Sequence, residues 1–111
     1  MKRRRTYVCG LDAAFGVVGG KWKALLLWEL DQGVRRFGEL RRALEGISEK
    51  MLIQQLREME HDGLVHREVF REVPPRVEYS LTDFGRSLNK AMEPLGDWGE
   101  EHKARIEALH L

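Results

Sequence analysis

The sequence predicts a mainly helical domain with a small β-hairpin wing, which is the α+β arrangement of a winged helix-turn-helix. Three observations predict it: two amphipathic helices around a tight turn, alternating apolar residues directly afterwards, and a long helical apolar stripe near the C-terminus. The chain has 111 residues, of which 42% are hydrophobic, so it is long enough for one modest core. We therefore expect residues 1–111 to form a single domain.

Near the N-terminus, the sequence predicts a basic arm followed by a short helix. Residues 1–8 include four consecutive basic side chains. Residues 11–19 place apolar side chains on one helix face, and Gly19-Gly20 ends the helix. The apolar residues of this face are Leu11, Ala14, Phe15 and Val18.

A second helix is expected over residues 22–30, which are apolar on most sides and should therefore be central and buried. Lys21 and Lys23 lie in its first turn, where a DNA phosphate can approach the helix N-terminus. Gly33 ends this helix, and Val34–Arg36 is a short extended piece.

The helix-turn-helix is expected over residues 37–63, with a tight turn at Glu45-Gly46-Ile47. Ser48 suits the N-cap of the second helix, Ile47 can form a hydrophobic staple with Leu52, and Gly63 suits the position after its C-cap. The first helix is marked by Phe37, Leu40 and Leu44, and the buried stripe of the second by Leu52, Leu56 and Met59.

The opposite face of the second helix carries amides and long cations, which are the groups that read base edges and phosphates in a major groove. The alternative interpretation is an ordinary solvated polar face. The candidate DNA-binding residues of the helix-turn-helix are Arg41, Ser48, Lys50, Met51, Gln54, Gln55 and Arg57.

A β-hairpin, the wing, is predicted over residues 64–81, because apolar residues there follow a period of two. Pro74-Pro75 interrupts the pairing and stiffens a loop, and Arg76 follows it. We predict that Arg76 enters a narrow minor groove, where the negative potential is enhanced. The alternative is a salt bridge from Arg76 to Glu72 or Glu78. The alternating residues are Val65, Val69 and Val73, then Val77, Tyr79 and Leu81.

The last helix is predicted over residues 83–108, with Thr82 as its cap and Pro94 expected to kink or divide it. Its apolar stripe exceeds what a domain this small can cover alone, and residues 11–19 offer a matching face. These two helices are therefore predicted to form a homodimer across a two-fold axis. The predicted interface residues are Leu11, Phe15, Val18, Leu88, Met92, Leu95 and Trp98.

Charge is distributed unevenly along the chain, although the net charge is only +1. Residues 1–50 hold eleven Lys/Arg and six Asp/Glu, and residues 51–111 hold eight and twelve. The basic surplus lies before and at the start of the second helix of the helix-turn-helix, and the C-terminal part is acidic. This distribution fits a DNA-binding side opposite an acidic far side.

Residues with catalytic or metal-binding spacing are not found in the sequence. No nucleophile–base pair, acid–base pair, phosphate-binding loop or metal-ligand spacing is present, so neither an enzyme nor a cofactor nor a metal site is expected. No apolar run approaches membrane-spanning length, so we expect a cytoplasmic protein without a membrane partner.

Taken together, these segments resemble the HxlR family of winged helix-turn-helix transcription regulators, relatives of the MarR-type regulators. The resemblance runs from Cys9 almost to the C-terminus, and it departs from the family at Gly10, where proline usually follows the cysteine. It implies a homodimer that binds a palindromic operator in double-stranded DNA and usually represses a nearby gene. The segments that carry it, in order, are Gly19-Gly20-Lys21-Trp22, Arg36-Phe37-Gly38-Glu39-Leu40, Ile47-Ser48-Glu49-Lys50-Met51-Leu52, Asp62-Gly63-Leu64-Val65, Val73-Pro74-Pro75-Arg76-Val77-Glu78-Tyr79-Ser80-Leu81-Thr82 and Trp98-Gly99.

Cys9 is the single cysteine and precedes the first helix, where backbone N–H groups can stabilise a thiolate. Some regulators of the family that the chain resembles sense oxidants or electrophiles through a cysteine at this position, so a small molecule of that kind is a candidate effector. With one cysteine in the chain, any protein disulfide must join two subunits. The alternative is an inert small residue packed at the interface.

Two other functions stay open at this point. One is a winged-helix protein-interaction module that does not bind DNA, which would favour an apolar patch where Lys50, Gln54, Gln55 and Arg76 lie. The other is a regulator that responds to a small ligand between the terminal helices and the core. The sequence specifies neither the operator nor the regulated gene.

Overall fold

The fold was analysed in a computed structural model, which describes residues 6–110. Residues 1–5, most of the predicted basic arm, lie outside the described residues, and residues 6–9 precede the first helix. The described chain is a winged helix-turn-helix, as predicted. Its elements are α1 (Gly10–Val18), α2 (Lys21–Asp31), β1 (Arg35–Arg36), α3 (Phe37–Ala43), α4 (Glu49–His61), β2 (Val65–Phe70), β3 (Arg76–Leu81) and α5 (Asp83–Leu109).

Helix α4 begins and ends at the residues that the sequence predicted. The Ser48 hydroxyl accepts the backbone N–H of Met51 at 3.1 Å, which satisfies one free donor of the first turn. At the other end Gly63 has φ 77°, and the Leu64 N–H donates to the Met59 carbonyl at 2.8 Å. These contacts form a Schellman motif, with Gly63 at the predicted position after the C-cap, since only glycine adopts that backbone conformation without strain.

The β-strands form one antiparallel sheet in the order β1-β3-β2. Strands β2 and β3 are the predicted hairpin, paired from Val65 with Leu81 to Phe70 with Arg76. The extended piece before α3 adds a third strand, which the sequence analysis did not foresee, because a two-residue strand has no periodicity to detect. Val73 was expected to continue the alternating pattern, but it is fully exposed in the loop after Phe70.

The core lies where α2, α3, α4 and the sheet meet. The predicted stripe of α4 is fully buried, which confirms its spacing. Helix α2 is less enclosed than expected, because Leu25 and Trp28 project outward at 44% and 62% exposure. The fully buried side chains are Leu26, Leu27, Leu40, Leu52, Leu56, Met59 and Leu64.

Helix α5 runs without interruption through Pro94. The prediction offered two outcomes, a kinked helix or a divided one, and the divided helix is wrong. Pro94 has no N–H to donate to the carbonyl of Lys90 one turn earlier, and both residues are exposed, so water can reach this part of the helix. The Thr82 hydroxyl caps the helix by accepting the Gly85 N–H at 3.0 Å, as predicted. Among residues 6–110, no helix is both long enough and apolar enough to cross a membrane.

Candidate DNA-binding surface

The outermost face of α4 carries Lys50, Gln54 and Arg57, all exposed. The helical period places them opposite the buried stripe, and they line one open concavity of the surface. Neither cation has an ion-pair partner among residues 6–110. Both are therefore free to approach a phosphate, while the Gln54 amide has donors and an acceptor suited to a base edge.

Met51 and Gln55 were predicted on the same face but lie on its flank. Met51 is half-buried and packs against the core, and the Gln55 amide nitrogen lies 3.4 Å from the Met51 sulfur. Ser48, at the start of the helix, uses its hydroxyl oxygen to accept the Met51 N–H. A hydroxyl in this position still has its own hydrogen to donate.

Arg41 extends from α3 toward the start of α4, as a candidate phosphate contact should. Its guanidinium Nη1 lies 3.4 Å from Glu49 Oε2, and both side chains are more than half exposed. Exposed pairs of this kind contribute about 0–1 kcal/mol, so a phosphate can replace the carboxylate at little cost.

The two lysines at the start of α2 have different surroundings. Lys21 is exposed, and its ammonium lies 4.5 Å from the centroid of the Trp22 ring. Lys23 was predicted to contact phosphate, but its side chain is only 10% exposed and its ammonium lies 2.7 Å from Glu58 Oε1. That prediction is corrected, because a buried ammonium already paired with a carboxylate is not available to DNA.

In the wing, Arg76 pairs with glutamates, which was the alternative to its predicted entry into the minor groove. Its Nε lies 3.3 Å from Glu78 and 3.6 Å from Glu72, and its guanidinium stacks over the Phe70 ring. The side chain is 29% exposed, and Nε is buried without a hydrogen-bond partner among the described residues. Arg76 is therefore not the free cation at the wing tip that was predicted.

Two exposed arginines near the wing were missed by the sequence analysis. Arg71 lies in the loop between β2 and β3, and Arg67 lines a groove of about 550 Å³ between α4 and the sheet. Neither forms an ion pair within the part of the chain that the structure describes. The available signal for Arg71 was its position directly before the predicted loop of the wing, and the sequence offered no comparable signal for Arg67.

A second surface, formed by α1 and α5, is apolar and exposed. Leu11, Phe15, Leu95 and Trp98 range from 55% to 68% exposure, which is unusual for side chains of this size. The other predicted interface residues differ: Val18 is buried within the chain, and Leu88 and Met92 are half-buried against its own core. Val18 is therefore removed from the candidate interface. Phe84, which belongs to the predicted apolar stripe of the last helix, is exposed as well, and exposed apolar residues that the prediction omitted are Leu25, Trp28 and Leu109.

Cys9 lies beside this apolar surface, at the N-cap of α1. Its thiol is exposed and makes no capping hydrogen bond. The Val8 N–H donates instead to the Asp12 carboxylate at 3.0 Å, which holds the chain against the first turn of the helix. Nothing within residues 6–110 covers the Cys9 thiol. If Cys9 is an inert, packed residue, a second protein surface must therefore cover it.

Comparison with known proteins identifies the same architecture. Residues 17–107 match a family model described as HxlR-like helix-turn-helix. The chain is 48% identical over 101 residues to the uncharacterized HTH-type transcriptional regulator YdeP of Bacillus subtilis (strain 168), covering 91% of this chain and 79% of YdeP. The expectation that the chain is not an enzyme is confirmed by these descriptions.

Two of the similar solved structures are described in terms of redox state or oxidant treatment. The reduced form of the redox regulator HypR superposes with a TM-score of 0.83 at 45% identity, covering 90% of this chain and 99% of HypR. The diamide-treated form of YodB from B. subtilis has a TM-score of 0.71 at 33% identity, covering 85% of this chain and 94% of YodB.

Proposed function

Because this chain belongs to the HxlR-like helix-turn-helix family of transcription regulators, we propose that it is a repressor that binds a palindromic operator as a homodimer and responds to oxidants through Cys9. The observation that carries this proposal is the outer face of α4. It combines the exposed amide of Gln54 with Lys50 and Arg57, two cations that form no ion pair with any residue from 6 to 110. Such a face supplies both parts of DNA recognition, since cations hold the phosphate backbone and the amide reads a base edge.

The apolar surface of α1 and α5 supports the homodimer. Phe15 and Trp98 are 60% and 55% exposed, and burial of the area that is still exposed stabilises an assembly by roughly 1–2 kcal/mol for each side chain. A second copy of the chain offers the same two helices across a two-fold axis. Such a dimer would place two copies of α4 about 34–36 Å apart, one turn of DNA, which requires a palindromic site.

The oxidant response is supported by the position of Cys9 and by the two redox-related structures. An exposed thiol at the start of α1 is accessible to a small oxidant. Because α1 belongs to the proposed dimer surface, a disulfide between two Cys9 residues or an adduct on one of them would alter how the subunits pack. A shift of the subunits changes the distance between the two α4 helices, which would weaken operator binding.

DNA binding is tested first by selecting bound fragments from the source genome, followed by a salt titration on the selected fragment. We expect an enriched palindrome and an affinity that falls steeply with salt. Replacing Lys50 or Arg57 by alanine should reduce the salt slope by about one each, whereas Lys90→Ala, on exposed α5, is the matched control. Salt-independent affinity would refute phosphate contact by this surface.

Transcription from a promoter that carries the palindrome tests the sign of regulation. We expect purified protein to lower transcript yield and diamide to restore it. An increase in transcript on protein addition would contradict the repressor assignment while leaving DNA binding intact.

A further inference from the structure

A short chain of polar contacts connects α2 to the outer face of α4. The Lys23 ammonium lies 2.7 Å from Glu58 Oε1, and the two side chains are 10% and 43% exposed. A buried ammonium requires a charged or polar partner, because removing an unpaired charge from water is strongly unfavourable. Lys23 therefore holds the Glu58 carboxylate in one position, although that carboxylate lies on a half-exposed edge of α4.

The other oxygen of this carboxylate contacts the amide that faces outward. Gln54 Nε2 donates to Glu58 Oε2 at 3.3 Å, one helical turn apart. When one N–H of an amide is bound to a fixed acceptor, rotation of the amide is restricted. The carbonyl Oε1 and the second N–H of Gln54 then keep a defined direction.

We infer that Glu58, held by Lys23, is a positioning residue that orients the Gln54 amide to read an adenine in the major groove. This inference rests on the proposed DNA binding. Adenine presents an acceptor at N7 and a donor at N6, which match the remaining N–H and the Oε1 of Gln54. The bond to Glu58 uses one of the two Nε2 hydrogens, so both base contacts remain available.

The benefit of this arrangement is that the side chain is ordered before DNA binds. A free glutamine loses rotamer freedom on forming a contact, and an oriented one loses less. Orientation also disfavours bases whose donors and acceptors are reversed, because the amide cannot turn over without losing the bond to Glu58. The network should therefore affect the preference at one base pair in each half-site more than it affects binding to random DNA.

If the Lys23–Glu58 ion pair served only to hold α2 against α4, its loss would have different effects on DNA binding. Its loss would lower the thermal stability of the protein and reduce affinity for all DNA sequences alike. The readout that separates the two roles is the base preference at a single position, measured beside the melting temperature of each variant.

The test is selection from a random double-stranded DNA library with the full-length wild type and four variants, Gln54→Ala, Glu58→Ala, Glu58→Gln and Lys23→Met. Lys90→Met is the control for loss of a lysine. The wild type should enrich a motif with an adenine that Gln54→Ala loses, with a reduction of roughly 5- to 150-fold in preference. Glu58→Ala and Lys23→Met should each reduce the same preference about fivefold, the effect of one typical hydrogen bond.

Glu58→Gln has one acceptor oxygen where the carboxylate has two, so it cannot contact Lys23 and Gln54 at once and should also reduce the preference. Lys90→Met should retain all of the preference. Lys23→Met leaves the Gln54 and Glu58 side chains in place, so it still tests the inference if Glu58→Ala fails to fold. An unchanged adenine preference in every folded Glu58→Ala or Lys23→Met variant overturns the inference while leaving the proposed function intact. A wild type that enriches no motif overturns both.

Discussion

The guanidinium carbon of Arg76 lies 4.0 Å from the centroid of the Phe70 ring, and the two residues are direct partners across β2 and β3. A cation over an aromatic face contributes about 0.5–1 kcal/mol at partly exposed sites. Glu72 and Glu78 flank the same guanidinium at 3.6 and 3.3 Å. Arg76 therefore closes the end of the hairpin, and the loop beyond it presents Arg71 to the solvent.

The first prediction concerns which arginine of the wing contacts DNA. Arg71→Ala should weaken binding to specific and random DNA by similar factors and reduce the salt slope by about one, because an exposed cation at the tip neutralises a phosphate. Arg76→Ala should change the slope little, since its charge is already balanced by two carboxylates. Salt titrations of both variants by fluorescence anisotropy provide the measurement, and a larger slope change for Arg76→Ala would contradict the assignment.

The second prediction concerns the packing of α5 against the end of the helix-turn-helix. A Cβ at Gly85 would overlap the Leu64 carbonyl oxygen, which is backbone and cannot move aside freely. Gly85→Ala should therefore lower the free energy of unfolding by roughly 1–3 kcal/mol. Gly96→Ala in the same helix has open space around its Cβ and should raise stability by up to about 1 kcal/mol through helix propensity. Urea denaturation measures both, and equal stability of the two variants would refute the packing constraint.

The third prediction concerns the apolar surface of α1 and α5. Trp98→Glu places a charge on the proposed interface and should convert the dimer to a monomer at micromolar concentration, because an unpaired charge is costly to bury. Val69→Glu, exposed on β2 away from this surface, is the matched control. Sedimentation velocity gives the mass of each species. A wild type that sediments as a monomer would exclude the dimer. A Trp98→Glu variant that remains dimeric would show that the interface does not include Trp98.

The fourth prediction concerns Cys9. Diamide accepts two electrons and two protons from two thiols, so oxidation of the protein alone should yield a disulfide between two subunits. We expect diamide to reduce operator binding of the wild type and to leave Cys9→Ser unaffected. Non-reducing electrophoresis distinguishes the intersubunit disulfide from a small-molecule adduct. Equal loss of binding in wild type and Cys9→Ser would eliminate the sensor role.

The sequence by itself determined the elements whose signals lie within a few residues of one another. Ser48 and Gly63 specify the two ends of α4 because a cap bonds only the adjacent turn, and a positive φ needs only the local backbone. The buried stripe of α4 followed from the period of the helix. The family resemblance also rested on such local segments, and the comparisons confirm it.

The tertiary structure alone decided which side chains remain free to act. Lys23 and Lys21 look equivalent in the sequence, yet Glu58, far away in the chain, pairs with Lys23 and removes it from the surface. Val18 has the same spacing as Leu11 and Phe15 but is buried against the chain's own core. The physical reason is that burial and ion pairing depend on neighbours brought together by folding, whereas caps and periodicity depend on neighbours in the chain.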